Sequence, residues 1–232
     1  MKRKKIVVLT GAGISAESGL STFRDAGGLW EGHNVMDVAS PEGWRRDRKL
    51  VLEFYNQRRR QLGNAHPNKA HKALLELEKN YDVTIVTQNV DNLHERAGST
   101  NIIHLHGELN KSQSTLNPEL IYDLNGKDIN EGDKCELGSQ LRPFIVWFGE
   151  MVPKMDEAVK AALEAEIFIV IGTSLVVYPA AGLLQFAEPD IKKYLIDPAE
   201  PELYYNYPNL THIRDKATAG TESLVNELMK NI

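Results

Sequence analysis

The chain has 232 residues, 42% apolar and 25% charged, which suits one large globular domain with a small appendage and excludes disordered and fibrous classes. Its net charge of -5 supplies no positive field for nucleic acid or an anionic membrane, so a small-molecule or protein substrate is expected. Apolar runs such as Ile167 to Ile171 fall far short of the roughly 20 residues a bilayer span needs.

At the N-terminus, Ile6 to Leu9 is shorter than a signal-peptide core. The single cysteine, Cys135, closes no internal disulfide, and together these point to a reducing, cytoplasmic setting. Lys5 to Thr10 is a continuous β-branched run that predicts a strand buried on both faces. It runs into Gly11-Ala12-Gly13-Ile14-Ser15-Ala16, a G-x-G-x-x-A turn where missing side chains let backbone approach a pyrophosphate at a helix N-terminus. The same glycines also suit a tight strand-to-helix turn packed for its own sake, and the turn alone leaves the two readings level. A dinucleotide-dependent dehydrogenase would carry an acidic residue about 20 residues later at the end of a second strand. Leu29 to Glu31 offers no such strand, which counts against hydride transfer.

Leu29 to Asn64 holds no core strand but carries an amphipathic helix around Asp47 to Leu62, and reads as a helical insertion. A helix over Asn68 to Lys79 follows, then a strand over Asp82 to Thr87 ending in Gln88-Asn89-Val90-Asp91, and a strand over Asn101 to Leu105 ending in His106-Gly107. Glu108 to Leu141 is polar and turn-rich, with Asn117-Pro118, Asn125-Gly126 and Glu131-Gly132, and reads as a second insertion of hairpins or loops. A helix over Met155 to Ala165 leads to a strand over Glu166 to Ile171 and to Gly172-Thr173-Ser174. The chain closes with a helix over Ala180 to Ala187, a strand over Lys192 to Ile196 running into Asp197, a strand near Leu210 to Ile213, and a helix over Thr221 to Met229.

Strands alternating with helices predict the α/β class: a doubly wound, Rossmann-like parallel sheet. Residues 1–28, 65–107 and 142–232 would form it, while the insertions 29–64 and 108–141 would form a small second domain across a cleft. Polar residues collect at the C-terminal ends of four strands, where open α/β sheets bind ligands. Singly, Asn89 and Asp91 read equally well as turn or cap residues, Thr173 and Ser174 as a helix N-cap, and His106 as a satisfied imidazole. Four such clusters on one edge are hard to assign to packing.

Gly11-Ala12-Gly13-Ile14-Ser15, Phe23-Arg24-Asp25, Thr87-Gln88-Asn89-Val90-Asp91-Asn92-Leu93-His94, His106-Gly107-Glu108-Leu109, Phe148-Gly149-Glu150 and Gly172-Thr173-Ser174-Leu175 together resemble the sirtuins, in order and spacing, from Lys4 to about Met229. The resemblance is closest to the bacterial CobB-type enzymes. It implies an NAD-dependent protein-lysine deacylase acting on acyl-lysine proteins or peptides, with a monomer expected. Ala12, Gly13 and Ser174 would touch the NAD phosphates, with Gly11, Ala16, Gly172 and Thr173 shaping the same site. Phe23 and Arg24 would lie on the cofactor-binding loop, and Gln88 would bond the ribose. Asn89 and Asp91, with Ile14, would line the nicotinamide pocket and count with His106 as catalytic. Asp197 stands where the family usually has Asn at the adenosine ribose, and Lys216 and Ala217 occupy the loop that meets adenine. In the family's chemistry the acyl oxygen attacks C1' as nicotinamide leaves, and His106 would then activate a ribose hydroxyl; free lysine, nicotinamide and 2'-O-acyl-ADP-ribose are the products. An imidazole with an ordinary pKa near 6.5 suits that base. His104, two residues earlier, reads as structural.

Phe148-Gly149-Glu150 and Leu175-Val176-Val177-Tyr178 would be extended segments flanking the peptide, their backbones pairing with it; core packing is the other reading for Val176 and Val177. Tyr55 and Arg58, three apart on one helix face, match the Tyr-x-x-Arg signature of desuccinylating and demalonylating sirtuins, since a hydroxyl and a guanidinium fork suit a carboxylate. Against that, Arg58 opens an Arg58-Arg59-Arg60 run of the kind that is usually a solvated face. Most sirtuins fasten the second insertion with four zinc-binding cysteines. Here only Cys135 remains, with Ser112, Ser114 and Ser139 near the other places, so no zinc is expected. A non-catalytic NAD or ADP-ribose binding module, an NAD glycohydrolase and an ADP-ribosyltransferase stand as alternatives.

Overall fold

The six β-branched runs assemble into one parallel sheet in a computed structural model that describes residues 3–21, 29–30, 32–173, 175, 178–200 and 205–230. Its strands are β1 (Lys5–Thr10), β4 (Asp82–Thr87), β5 (Ile102–His104), β9 (Ile167–Ile171), β10 (Lys192–Ile196) and β11 (Leu210–Ile213). They lie in the order β11-β10-β9-β1-β4-β5, the doubly wound arrangement whose direction of winding reverses between β1 and β9. On β1, Ile6 and Val8 join one core while Val7 and Leu9 join another. Apolar side chains on both faces explain why the strand reads as a continuous run.

The first core packs against α5 (Lys69–Leu77) and α8 (Ala217–Lys230), through Ala70, Leu74 and Leu77 on one helix and Leu224, Val225 and Leu228 on the other. The second packs against Ala158 and Ala162 of α7 (Met155–Leu163) and against the 3-10 segment Ala180–Phe186. That segment was expected as an α-helix. α8 begins four residues before the expected Thr221, because the carboxylate of Glu17 accepts both the backbone N–H and the hydroxyl of Thr218, each at 3.0 Å. A cap supplied from two hundred residues away leaves no local signal.

The remaining elements are α1 (Ala12–Ala16), β2 (Leu29–Trp30), β3 (His33–Asn34), α2 (Val35–Val38), α3 (Pro41–Arg46), α4 (Arg48–Asn64), α6 (Leu93–Ala97), β6 (Gly107–Ser114), β7 (Ile121–Asp123) and β8 (Leu141–Ile145). β6, β7 and β8 form an antiparallel sheet in the order β7-β6-β8. It shares one core with the helical insertion, where Val51, Phe54 and Tyr55 of α4 meet Leu109, Leu124, Ile129, Ile145 and Trp147. Asn56 and Arg59 of α4 fasten the two parts. Asn56 donates to the Ile129 carbonyl and accepts from its N–H, both at 3.0 Å, and Arg59 Nε donates to the Leu109 carbonyl at 2.9 Å. Burial brings the Arg59 pKa down to about 10, with Asp128 opposing the shift, so the guanidinium stays charged at neutral pH. Among the described residues no helix is long and apolar enough to cross a membrane.

Beneath the sheet edge His71 and His94 are buried with ring centroids 4.9 Å apart. Burial lowers His71 to about 4 and carries His94 well below its ordinary value, with His71 and His104 adding to the effect on His94. Unfolding restores values near 6.5, so the unfolded chain binds the extra protons and stability falls as pH drops from 6.5 toward 4. The unfolding free energy from urea titrations is expected to fall over that window by up to about 1.4 kcal/mol per pH unit for each ring, and less steeply in His94→Phe; a flat profile would mean that neither ring is held neutral.

Candidate active site

At the reversal point the loops after β1 and β9 press backbone against backbone. The N–H of Gly11 donates to the Ile171 carbonyl at 3.0 Å and that of Gly13 to the Gly172 carbonyl at 2.8 Å. A Cβ on Gly13 would lie 2.6 Å from Gly172 Cα, and one on Gly172, whose φ is +62, would lie 2.5 Å from Ile14 N. The glycines are therefore required by close packing of the two loops, one of the two readings the turn allowed. Ala12 is half-buried, Ala16 is exposed, and Ile14 is buried in the sheet core. Phe23, Arg24, Ser174, Val176 and Val177 lie outside the described residues.

The same crevice gathers a buried polar cluster. Asn89 Nδ2 donates to the Gly11 carbonyl at 3.0 Å and to Ser15 Oγ at 3.2 Å, and Ser15 Oγ donates to Asp91 Oδ2 at 2.9 Å. Asp91 Oδ1 accepts from the Leu93 N–H at 3.0 Å. Burial pushes the Asp91 carboxyl up, while the Leu93 N–H, Ser15 and the charge of His104 pull it back. Ser15 is the junction of this network and had not been singled out as a site residue; the signal was available, since a buried Asn and Asp near one turn need a shared partner. Gln88 Nε2 reaches across to Thr173 Oγ1 at 3.2 Å. Asp197 is buried at the end of β10 with Oδ1 accepting from the Ala199 N–H at 2.9 Å. Lys216 is exposed just before α8, and Ala217 opens that helix buried. Bare backbone, two amide side chains and two carboxylates along this edge fit a dinucleotide with ribose hydroxyls to bond.

His106 follows β5, the outer strand beside β4, with Nδ1 3.0 Å from the Gln88 carbonyl. A carbonyl only accepts, so Nδ1 carries the proton of the neutral ring and Nε2 presents its lone pair. Burial lowers the pKa of His106, offset in part by the Gln88 carbonyl. The Leu105 N–H donates to the Thr87 carbonyl at 2.9 Å. His104 places Nδ1 3.2 Å from the Asn89 carbonyl and Nε2 2.6 Å from Glu95 Oε1. Glu95, His104 and Glu108 form the one close His and carboxylate cluster found among the described residues. Its donors are spent on each other and on Lys111, which bonds Glu108 at 2.9 Å.

Tyr55 is fully buried and its oxygen accepts from Trp147 Nε1 at 3.1 Å. Burial raises its pKa, opposed by the Trp147 hydrogen bond, so it remains a hydroxyl. The Arg58 guanidinium lies over the Phe54 ring at 4.6 Å, with Nε donating to Gln61 at 3.2 Å. The arginine run is not one solvated face: Arg59 is buried, and Arg60 pairs with Glu53 and Asp128. Phe148 and Gly149 form a turn rather than the expected extended segment, closed by the Glu150 N–H on the Trp147 carbonyl at 3.0 Å. Glu150 holds that turn by accepting twice from Arg142, at 2.7 and 3.0 Å, and from the Trp147 N–H. Tyr178 is 55% exposed.

The second insertion does not offer a zinc site's donors. Cys135 Sγ lies 3.4 Å from Ser114 Oγ and 3.1 Å from Ser139 Oγ, and the two hydroxyls are 2.8 Å apart. Ser112 is buried two residues before Ser114 on β6. One thiol and a hydrogen-bonded pair of serines do not match the four Cys or His ligands of a structural zinc. The Ser114 and Ser139 hydroxyls lower the Cys135 pKa to about 7. Gly13→Ala is expected to cost about 1–3 kcal/mol through overpacking, whereas Gly63→Ala, with open space around its Cβ, should gain about 0.5–1 kcal/mol from helix propensity; urea unfolding of both checks this.

Comparison with known proteins gives a consistent result. Residues 11–179 match the model of the Sir2 family. The chain is 54% identical over 227 residues to a Helicobacter pylori protein named NAD-dependent protein deacylase, covering 98% of each. A Bacteroides thetaiotaomicron protein of the same name is 54% identical over 226 residues, covering 95% of this chain and 96% of that one. A crystal structure described as a Sir2 homolog–NAD complex superposes with a TM-score of 0.88 at 40% identity, covering 99% of this chain and 91% of the other. With a family model spanning most of its length and near full-length relatives at this identity, the chain belongs to the Sir2 family.

Proposed function

We propose that this chain is an NAD-dependent protein-lysine deacylase that uses His106 as its general base and accepts both acetyl and dicarboxylic acyl groups such as succinyl and malonyl. The observation that carries the reading is the His106 ring itself. Its Nδ1 is committed to the Gln88 carbonyl, its pKa is lowered by burial, and it stands on the sheet edge beside buried Asn89 and Asp91. Relatives at 54% identity carry the deacylase name, and a similar structure is a complex with NAD. NAD, when bound, supplies the ribose carbon from which nicotinamide departs and the hydroxyl that takes up the acyl group.

Each residue then has a task within reach of its position. Gln88, bonded to Thr173, and Asn89 and Asp91, tied together through Ser15, present a fixed polar wall to the leaving side of the sugar and keep water ordered or out. Phe23, Arg24 and Ser174, with Gly11, Ala12 and Gly13, belong to the cofactor side of this reading. Phe148, Val176, Val177 and Tyr178 belong to the peptide side. His106 removes a ribose hydroxyl proton at Nε2, the nitrogen its hydrogen bond leaves unprotonated. Tyr55 and Arg58 form the acyl end: a hydroxyl held protonated by burial and a cation stacked on Phe54 can both donate to a carboxylate. Glu150 acts through its hold on the 147–150 turn. The donors around Cys135 support a zinc-free protein, and a cytoplasmic monomer belongs to the same reading.

Incubation with NAD and acetyl-, succinyl- and malonyl-lysine peptides, with products identified by mass, tests this. His106→Ala should abolish turnover of every peptide. Arg58→Met should lower kcat/KM for succinyl and malonyl peptides by roughly tenfold or more relative to acetyl, the size of one lost charge-assisted hydrogen bond; equal losses on all three would sink the carboxylate clamp. Because the base works as neutral imidazole and its pKa lies below 6.5, the acid limb of kcat/KM should lie below pH 6.5, which a pH profile on the acetyl peptide will show.

A further inference from the structure

His104 and His106 are two residues apart and bond the carbonyls of two adjacent residues, Asn89 and Gln88, yet their second nitrogens face opposite surroundings. Among the described residues His106 meets no acceptor at Nε2, and it serves as the base. His104 has an acceptor at each nitrogen: the Asn89 carbonyl at 3.2 Å and the Glu95 carboxylate at 2.6 Å. A neutral imidazole carries one N–H and satisfies one of these; only the imidazolium satisfies both. The His104 side chain is 9% exposed and Asn89 is buried, so a neutral ring would either leave that carbonyl unmet or turn a lone pair on the Glu95 carboxylate at 2.6 Å.

We propose that His104, charged and braced by Glu95, is a positioning residue that holds the Gln88-Asn89-Val90-Asp91 segment in its working shape for NAD. The inference rests on the deacylase reading above. It links α6, through Glu95, and the end of β5, through His104, to the loop whose side chains Asn89 and Asp91 close the network on Ser15 and Gly11. The charged and titratable groups around the ring agree with it. Glu95 from α6 and Glu108 from β6 face it with negative charge, Lys111 neutralises part of Glu108, buried Asp91 lies on the held loop, and His94 beside it is kept neutral by burial. Burial opposes the charge on His104, but the Glu95 hydrogen bond and the Glu95 and Glu108 charges outweigh it, and the pKa stands above 6.5. Glu95 is shifted down against partial desolvation, by its bond to His104. With the folded value raised, the clamp is complete below the unfolded pKa of about 6.5 and is lost as pH rises through the folded value.

The reaction should therefore show two limbs in kcat/KM for NAD: an acid limb from His106 and an alkaline limb from His104. The test measures this profile for wild type, Glu95→Gln and His104→Gln on one acetyl-lysine peptide, beside NMR titration of the His104 ring in wild type and Glu95→Gln. Glu95→Gln should move the alkaline limb and the ring titration to lower pH while leaving the acid limb in place. His104→Gln should lose the alkaline limb altogether and lower kcat/KM by about tenfold to a hundredfold, as expected for a slightly misplaced catalytic wall. An alkaline limb identical in all three proteins, or a wild-type ring that titrates at or below 6.5, overturns the proposal. Wild type that turns over no acyl peptide would instead refute the deacylase reading, and the NAD Kd against pH would then report the same limb or its absence.

Discussion

One hydrogen bond, from the His106 ring to the Gln88 carbonyl, decides what this site can do. It spends the single N–H of a neutral imidazole on the backbone and turns the lone pair outward, so the orientation of the base and its tautomer are set by the same contact. The contact exists because the end of β5 runs beside the end of β4, with the Leu105 N–H on the Thr87 carbonyl fixing the register in which residues 104 and 106 meet residues 89 and 88. The parallel sheet thus does more than carry the site. Its reversal between β1 and β9 opens the crevice, and the glycine contact between their loops closes its floor.

Around that contact the polar groups answer one another. Asn89, Ser15 and Asp91 form a closed chain in which each buried group has a partner, the condition for a rigid rather than a costly buried network. The small domain is held together without a disulfide, since the chain carries one thiol. Asn56 and Arg59 fasten it by bonding the backbone of the hairpin region from α4, above an apolar core shared by both insertions.

Much of this was legible in the sequence because the sheet strands are buried on both faces and announce themselves as unbroken β-branched runs. The family's motifs then located the edge residues, and Sir2 membership followed. What escaped was set by contacts distant in the chain. The early start of α8 depends on Glu17, the fate of the arginine run on Asp128 and on the backbone of Leu109, and the turn at Phe148 on Arg142 gripping Glu150. The short helices α2 and α3 had readable caps in Asn34 and in Ser40 followed by Pro41, but at four and six residues they are too brief for periodicity to reveal. His104 was read as structural because its residue type alone does not say that both of its nitrogens would face acceptors.

The most direct test of the account is a crystal structure of the protein with NAD and an acyl-lysine peptide bound, measured at the His106 ring. Nε2 should lie within about 3.2 Å of a hydroxyl on the nicotinamide-bearing ribose while Nδ1 keeps its bond to the Gln88 carbonyl. A ring rotated so that Nδ1 faces the ligand, or one left beyond hydrogen-bond reach of the sugar, would contradict it.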